Sequence, residues 1–335
     1  MAVPPSTTKP GSSRRVGRAV RWRNRVLQKV IFPLLFSTNK GERVLDHEWD
    51  NLIILDDCRF DAFSRAYHAL KTEGTLREFT SRGTDTTSFL LENFSGSYHP
   101  DIVYVTANPR VNTLVPNNFF KVISVWSKGW NDEFNTVLPE TMYQYALGAS
   151  QRYPDKRLII HFIQPHIPFV DLPDGAWIGA KIFPELSKSS QKRPQATSHS
   201  KVPFSVYLPP WNSDWYLLEL SLGNRRIWEL YQMNLARVLT YVARLLNELP
   251  GKSVVTADHG EAIGDRLHPL LPLRVYGHPP GVRMKSLTQV PWFVSTAPQT
   301  VQLKPPDQPA FELDTVKGAE DEKLVEERLK SLGYA

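Results

Sequence analysis

Apolar residues along this chain fall into two patterns. Short unbroken runs, Asn51-Leu52-Ile53-Ile54-Leu55, Arg157-Leu158-Ile159-Ile160-His161-Phe162-Ile163 and Ser253-Val254-Val255-Thr256, have the continuous hydrophobicity of strands covered on both faces. Residues 101–105, 121–125 and 289–294 read as three further short strands. Elsewhere the period is helical. Residues 139–153 predict one helix and 220–249 a longer one, whose apolar stripe runs from Ile227 through Leu230, Tyr231 and Leu235 to Leu246 and is ended by Pro250-Gly251. Such an alternation predicts an α/β domain. A charged amphipathic helix is expected over 320–332 with Gly333 as its stop, and the stretch from Glu261 to Tyr276 reads as irregular.

Open α/β sheets bind their ligands beyond the carboxyl ends of the strands, and there the chain is chemically loaded. The first run stops at Asp56-Asp57-Cys58-Arg59-Phe60-Asp61, and the Ser253 run stops at Asp258-His259-Gly260-Glu261. Asp56 and Asp258 hold matching positions just off their strands, which suits metal ligands; Asp61 reads as a first-turn acid of a helix beginning near Ala62. The third run carries His161 and leads into Gln164-Pro165-His166-Ile167-Pro168. One strand histidine is ordinarily a satisfied core residue, but two flanking a proline turn point to a site. Residues 79–91, Phe-Thr-Ser-Arg-Gly-Thr-Asp-Thr-Thr-Ser-Phe-Leu-Leu, set a hydroxyl-rich loop before a helix start, which serves equally for N-capping, for an anionic oxygen or for a nucleophile. Tyr276-Gly277-His278-Pro279-Pro280-Gly281 fixes a loop whose histidine is free to coordinate.

Charge narrows the partners. The net +6 over 335 residues sits largely in the first forty-odd positions, where Arg14, Arg15, Arg18, Arg21, Arg23, Arg25 and Lys29 crowd together. A nucleic-acid-binding domain would interleave Lys and Arg with aromatics across its folded segments, and no such stripe is present, so nucleic acid is set aside as a partner. The basic arm runs into Val30-Ile31-Phe32-Pro33-Leu34-Leu35-Phe36, a pattern suited to peripheral contact with an anionic membrane or to packing on the domain. No apolar run is long enough to cross a bilayer and residues 1–13 lack a signal-peptide core, which predicts a cytoplasmic protein, with membrane association at the surface through that arm. The single Cys58 rules out an internal disulfide. Expected boundaries are a basic arm over 1–47, a catalytic domain over 48–296 with a Pro- and Ser-rich insertion near 171–215, and a linker and helix over 297–335.

Taken in order, Leu-Asp-Asp-x-Arg-x-Asp after the first strand, Ser-Arg-Gly-x-x-Thr, His-Phe-x-x-Pro-His-x-Pro, Thr-Ala-Asp-His-Gly-Glu and Tyr-Gly-His-Pro-x-Gly resemble the alkaline phosphatase superfamily. More narrowly, they are similar to its sulfatase-like branch, which includes lipoteichoic acid synthases and phosphoethanolamine transferases. The likeness covers roughly residues 51–294. It implies a twisted, mostly parallel sheet with helices on both faces and a metal site at the carboxyl edge. It implies Asp56, Asp258 and His259 as metal ligands and Thr86 in the place of the nucleophile, with Thr84 and Thr87 as alternatives. His161, His166 and His278 would hold the transferred group or a second metal, and Arg59 or Arg82 would neutralise its oxygens. Asp57 is either a ligand or an acid behind the ligands, and Glu261 is expected to cap the next turn.

One departure bears on the chemistry. Sulfatases of this branch use a Cys/Ser-x-Pro-x-Arg motif to make formylglycine; none follows the first strand here, and Cys58 stands beside the metal acids instead. A threonine nucleophile suits phosphorus better. The resemblance therefore implies a metal-dependent hydrolase or transferase acting on phosphate esters, with sulfuric ester hydrolysis and a non-catalytic binding role as alternatives. Carboxylate, imidazole and alkoxide together suit zinc, manganese or magnesium, whereas calcium prefers an all-oxygen shell. The implied partners are a phosphorylated or sulfated small molecule, a glycan or a lipid head group.

Overall fold

A computed structural model of the chain describes residues 40–170, 213–269, 271–296 and 319–332. The basic arm through residue 39, nearly all of the expected insertion and the 297–318 linker lie outside the described residues. The strands are β1 (Asn51–Leu55), β2 (Gly74–Thr80), β3 (His99–Thr106), β4 (Phe119–Ser124), β5 (Trp130–Asn131), β6 (Thr136–Val137), β7 (Arg157–Phe162), β8 (Ser253–Thr256), β9 (Ala262–His268), β10 (Leu271–Gly277) and β11 (Gln289–Ser295). Seven of them form one sheet in the order β2-β11-β8-β1-β7-β3-β4. Pairings from β8 across to β4 are all parallel, and β11 runs antiparallel to both β8 and β2.

Every residue of β1 and β8 is buried. Successive strand residues point to opposite faces, so unbroken burial means that both faces of the sheet centre are covered. Helices Phe60–Ala66, Thr86–Phe94, Pro139–Arg152 and Ser213–Glu248 supply that cover together with shorter turns. Pro139 opens its helix, where a missing N–H costs nothing. The longest helix is broken at Gly223, whose φ of +74° no helical residue adopts, and beyond the break its stripe of Ile227, Leu230, Tyr231, Leu235 and Val238 lies fully in the core.

The register of the central strands places the site. Ile54 of β1 lies opposite His161 of β7 and opposite Thr256 of β8. Two residues further on, parallel pairing delivers Asp56 and Asp258 to the same carboxyl edge.

Two elements differ from the sequence reading. The stretch after Glu261 is an antiparallel hairpin of β9 and β10, not an irregular segment. Two register shifts interrupt its pairing, and they erase the two-residue period that marks a strand. Strand β2 was not anticipated either: only Phe79 in it is fully buried, and its place depends on pairing with β11, where Phe79 stacks on Trp292 at 4.5 Å between ring centres. The closing helix spans Ala319–Ser331 and is followed by a buried Leu332, while its expected glycine stop lies outside the described residues.

Truncating Ile53, buried in mid-sheet, to alanine is expected to cost about 2–5 kcal/mol. Leu91→Ala, at a residue 40% exposed, should stay within about 0.5 kcal/mol of wild type. Urea unfolding midpoints at constant slope are the measurement.

Candidate metal and nucleophile centre

Two groups of buried side chains meet at the carboxyl edge. The first is Asp56 off β1 with Asp258 and His259 off β8, whose ligand atoms all lie within 4.8 Å of one another. Thr86 opens the helix Thr86–Phe94 directly beside them. Its hydroxyl donates to Asp258 Oδ2 at 2.8 Å and lies 3.2 Å from His259 Nε2 and 3.4 Å from Asp56 Oδ1. The helix start is locked locally: Asp85 caps it, accepting from Ser88 N at 3.0 Å, and Ser88 Oγ in turn accepts from Asp85 N. Thr84 has a different task, since its hydroxyl bonds Asp85 and accepts from Gly281 N at 2.8 Å. Thr87 makes no hydrogen bond to the cluster among the described residues.

The second group is Asp57, His166, Glu261 and His278, again within 4.8 Å. Glu261 was expected to cap the following turn. It does accept from Ala262 N at 3.0 Å, but its other oxygen meets His278 Nδ1 at 3.0 Å and the side chain is fully buried in this cluster. Asp57 holds a left-handed φ of +66°, a conformation that Asp tolerates better than most residues and that recurs at functional sites.

The donor set fits divalent cations. His166 Nδ1 lies 2.5 Å from its acceptor Ile167 O, and His259 Nδ1 lies 3.0 Å from Gly260 O. An Nδ1–H committed to a carbonyl leaves each neutral imidazole with its Nε2 lone pair facing inward. His166 Nε2 then faces Asp57 Oδ2 at 3.5 Å, and His259 Nε2 faces Asp258 Oδ2 at 3.3 Å and Asp56 Oδ1 at 3.6 Å. Lone pair against carboxylate is repulsive without a positive charge between them. Both Asp57 oxygens are sealed from solvent with no well-aligned hydrogen bond among the described residues, although His259 Nδ1 and His278 Nδ1 stand 3.0 and 3.3 Å away.

A scan against protein-family models finds no match, and neither does a search of curated proteins. Solved structures do match. One is the integral membrane lipooligosaccharide phosphoethanolamine transferase A from Neisseria meningitidis, at 12% identity and a TM-score of 0.46, covering 85% of this chain and 55% of that one. Another is the C-terminal periplasmic domain of EptC from Escherichia coli, solved in complex with Zn, at 16% identity and a TM-score of 0.42 over 77% of this chain and 75% of that one. A third is a protein in the alkaline phosphatase superfamily from Vibrio parahaemolyticus, at 11% identity and a TM-score of 0.39, covering 84% and 70%. The chain is similar to these three over 77–85% of its own length. It spans about half the length of the membrane transferase, and no helix among the described residues is long and apolar enough to cross a membrane. No residue role carries over at such identities.

The remaining candidates are placed as follows. His161 is fully buried, with Nδ1 at 2.9 Å from the Tyr104 hydroxyl and Nε2 at 3.8 Å from Asp258 Oδ2. Arg59 is committed to protein partners: its fork meets Asp61 at 2.9 Å, Asp265 at 2.8 Å and the carbonyl of Glu261 at 3.0 Å. It braces the strand ends, and Asp61, read as a helix acid, is its counter-ion. Arg82 lies in the bend before the helix Thr86–Phe94 and reaches Glu92 of that helix, at 4.0 Å.

Asn108 was passed over, although it sits two residues beyond β3 on the same edge, and that position was the available signal. Its side chain is fully buried and donates to Asp56 Oδ2 at 2.8 Å.

Charge is held in tension here. Burial would push His259 toward neutrality, but Asp258 and then Asp57 outweigh it and bring its pKa up to about 10. Burial would raise Asp57, yet His278, His166 and His259 together hold it well below the ordinary carboxylate range. Glu261 goes up, from burial first and then from the charge of Asp57. Below about pH 10 the metal-free His259 thus carries a proton on Nε2, in the place a cation would take. Divalent cation binding at pH 7 is expected to release about one proton from this residue, and affinity to rise about tenfold per pH unit on that account. Calorimetry in buffers of different ionisation enthalpy measures both.

The metal-free fold has the opposite sign. A raised histidine pKa stabilises fully below the ordinary 6.5, and that stabilisation is lost as pH climbs through about 10. The thermal midpoint of chelated protein should fall across that window more than that of the loaded protein.

Proposed function

We propose that this chain is a metal-dependent enzyme that acts on phosphate esters, as a hydrolase or a phosphotransferase, with Thr86 as nucleophile. The observation that supports this most directly is the Thr86 hydroxyl at the first position of its helix, 2.8 Å from Asp258 Oδ2 and within reach of Asp56 and His259. A threonine hydroxyl in water is a poor nucleophile. What a cation held by Asp56, Asp258 and His259 would supply is a lowered pKa for that hydroxyl and charge to offset the ester's oxygens.

The chain's own part is orientation. Asp258 receives the hydroxyl proton's hydrogen bond, Asn108 pins Asp56, and the helix start presents Thr86 without a mobile loop. As the Thr86 oxygen bonds to phosphorus, the bond from phosphorus to the leaving oxygen breaks; water or an alcohol then takes the phosphoryl group from the threonine. Asp57, His166, Glu261 and His278 are proposed to hold a second cation or the transferred group. Zinc, manganese and magnesium are the proposed metals, and a phosphorylated small molecule, glycan or lipid head group the proposed substrate.

Purified full-length protein assayed with aryl phosphates, aryl phosphodiesters and aryl sulfates under each metal tests this. Thr86→Ala is expected to lose about 10³-fold or more in kcat, and Thr86→Ser to retain a phosphorylated residue 86 detectable by mass spectrometry. Sulfate release that survives Thr86→Ala would install sulfuric ester hydrolysis instead. Metal binding with no turnover of any ester would point to a binding role.

A further inference from the structure

Tyr104 belongs to none of the motifs above, yet it controls one of the site's histidines. It lies in β3, two residues before the end of the strand, and is fully buried. Its hydroxyl makes one hydrogen bond among the described residues, to His161 Nδ1 at 2.9 Å. Either group can donate in that contact. If Nδ1–H donated to the phenol oxygen, the phenol's own hydrogen would be left in the interior without an acceptor, at a cost of about 1–3 kcal/mol. In addition, the bare lone pair of Nε2 would face Asp258 Oδ2 at 3.8 Å. If the phenol donates, Nδ1 accepts and the leftover donor is the Nε2 hydrogen instead, which faces the negative Asp258 oxygen, so repulsion is replaced by attraction.

His161 Nε2 then has nowhere to put that hydrogen. It is sealed from solvent and has no hydrogen-bond partner among the described residues. The 3.8 Å to Asp258 Oδ2 is too long for a direct bond. That same Asp258 oxygen accepts from Thr86, so the unspent donor is aimed at the space beside the proposed nucleophile.

We propose that Tyr104 is a positioning residue that fixes His161 as an Nε2–H donor for an oxygen of the phosphoryl group bound beside Thr86. The proposal rests on the phosphoryl-transfer reading for its ligand, but the tautomer itself does not. A neutral ring has one donor only, and Tyr104 decides which nitrogen bears it.

The test is a long-range proton–nitrogen NMR correlation on full-length protein labelled at histidine, with His161 assigned by His161→Gln. Wild type is expected to show a protonated Nε2 and an unprotonated Nδ1, and inorganic phosphate added to the metal-loaded protein should shift the Nε2 signal. Tyr104→Phe keeps the ring and loses only the hydroxyl. It should give a mixture of tautomers and weaken phosphate binding about tenfold, with bound cation unchanged; a merely structural role would alter cation content and the thermal midpoint instead. A wild-type His161 protonated on Nδ1 overturns the proposal, as does a Tyr104→Phe protein with the wild-type tautomer and phosphate affinity. Failure of the wild type to bind phosphate or cleave any ester would sink the phosphoryl-transfer reading, and with it the assigned ligand, while the ring nitrogens still report whether Tyr104 sets the tautomer.

Discussion

Two carboxylates forced together in a dry place are the constraint on which the rest of this structure depends. Asp56 and Asp258 are fully buried, with ligand oxygens inside the 4.8 Å limit of their cluster. Two like charges about 5 Å apart at an effective dielectric of about 20 repel by about 3 kcal/mol. Nothing in the strands relieves that. It is relieved by what converges on them: the Thr86 hydroxyl, the Asn108 amide and the imidazole of His259. A site assembled in this way is stable only with compensating positive charge, whether a proton on His259 or a cation, and the choice between the two would couple the fold to cation binding.

The long helix holds two parts of the second cluster together. Tyr231 donates to the carbonyl of Asp57 at 2.8 Å and accepts from Arg59 N at 3.0 Å, which fixes the turn after β1. One helical turn later, Asn234 spends its amide on the carbonyls of Pro165, His166 and Pro168, while its oxygen accepts from Val170 N at 3.0 Å. Both side chains lie on one face of the helix, as residues three apart do. One rigid element thus sets the distance between the loop that carries Asp57 and the loop that carries His166. Across the sheet, the Ser81 hydroxyl donates to the carbonyl of Asp258, and Arg283 donates to the carbonyls of Ser81 and Arg82, tying the loop before Thr86 to β8 and to the 279–284 turn.

Much of this was legible beforehand, and the reason is local. Strands buried on both faces must be apolar throughout, so β1, β7 and β8 stood out as unbroken runs, and the polar residues ending them marked the edge where a site belongs. The long helix could be read from its stripe. Strand β2 and the β9–β10 hairpin could not: one is defined by its partner strand, and the other has its alternation broken by register shifts. Arg59 shows the same limit on the chemical side. Its position among the acids suggested a ligand for phosphate, but Asp265, some two hundred residues later, takes it.

By itself the sequence determined which residue types stand at the strand ends, because burial period and strand termination are properties of a few neighbouring residues. The tertiary structure alone decided how they divide. It grouped Asp56 with Asp258 and Asp57 with Glu261, although Asp56 and Asp57 are adjacent in the chain. It turned the hydroxyl of Thr86 toward Asp258 and that of Thr84 toward Asp85. It also joined Tyr104 to His161 through pairing between β3 and β7. Each of these is a matter of register and facing direction between segments far apart in sequence, and only the pairing of the strands, parallel and antiparallel, supplies it.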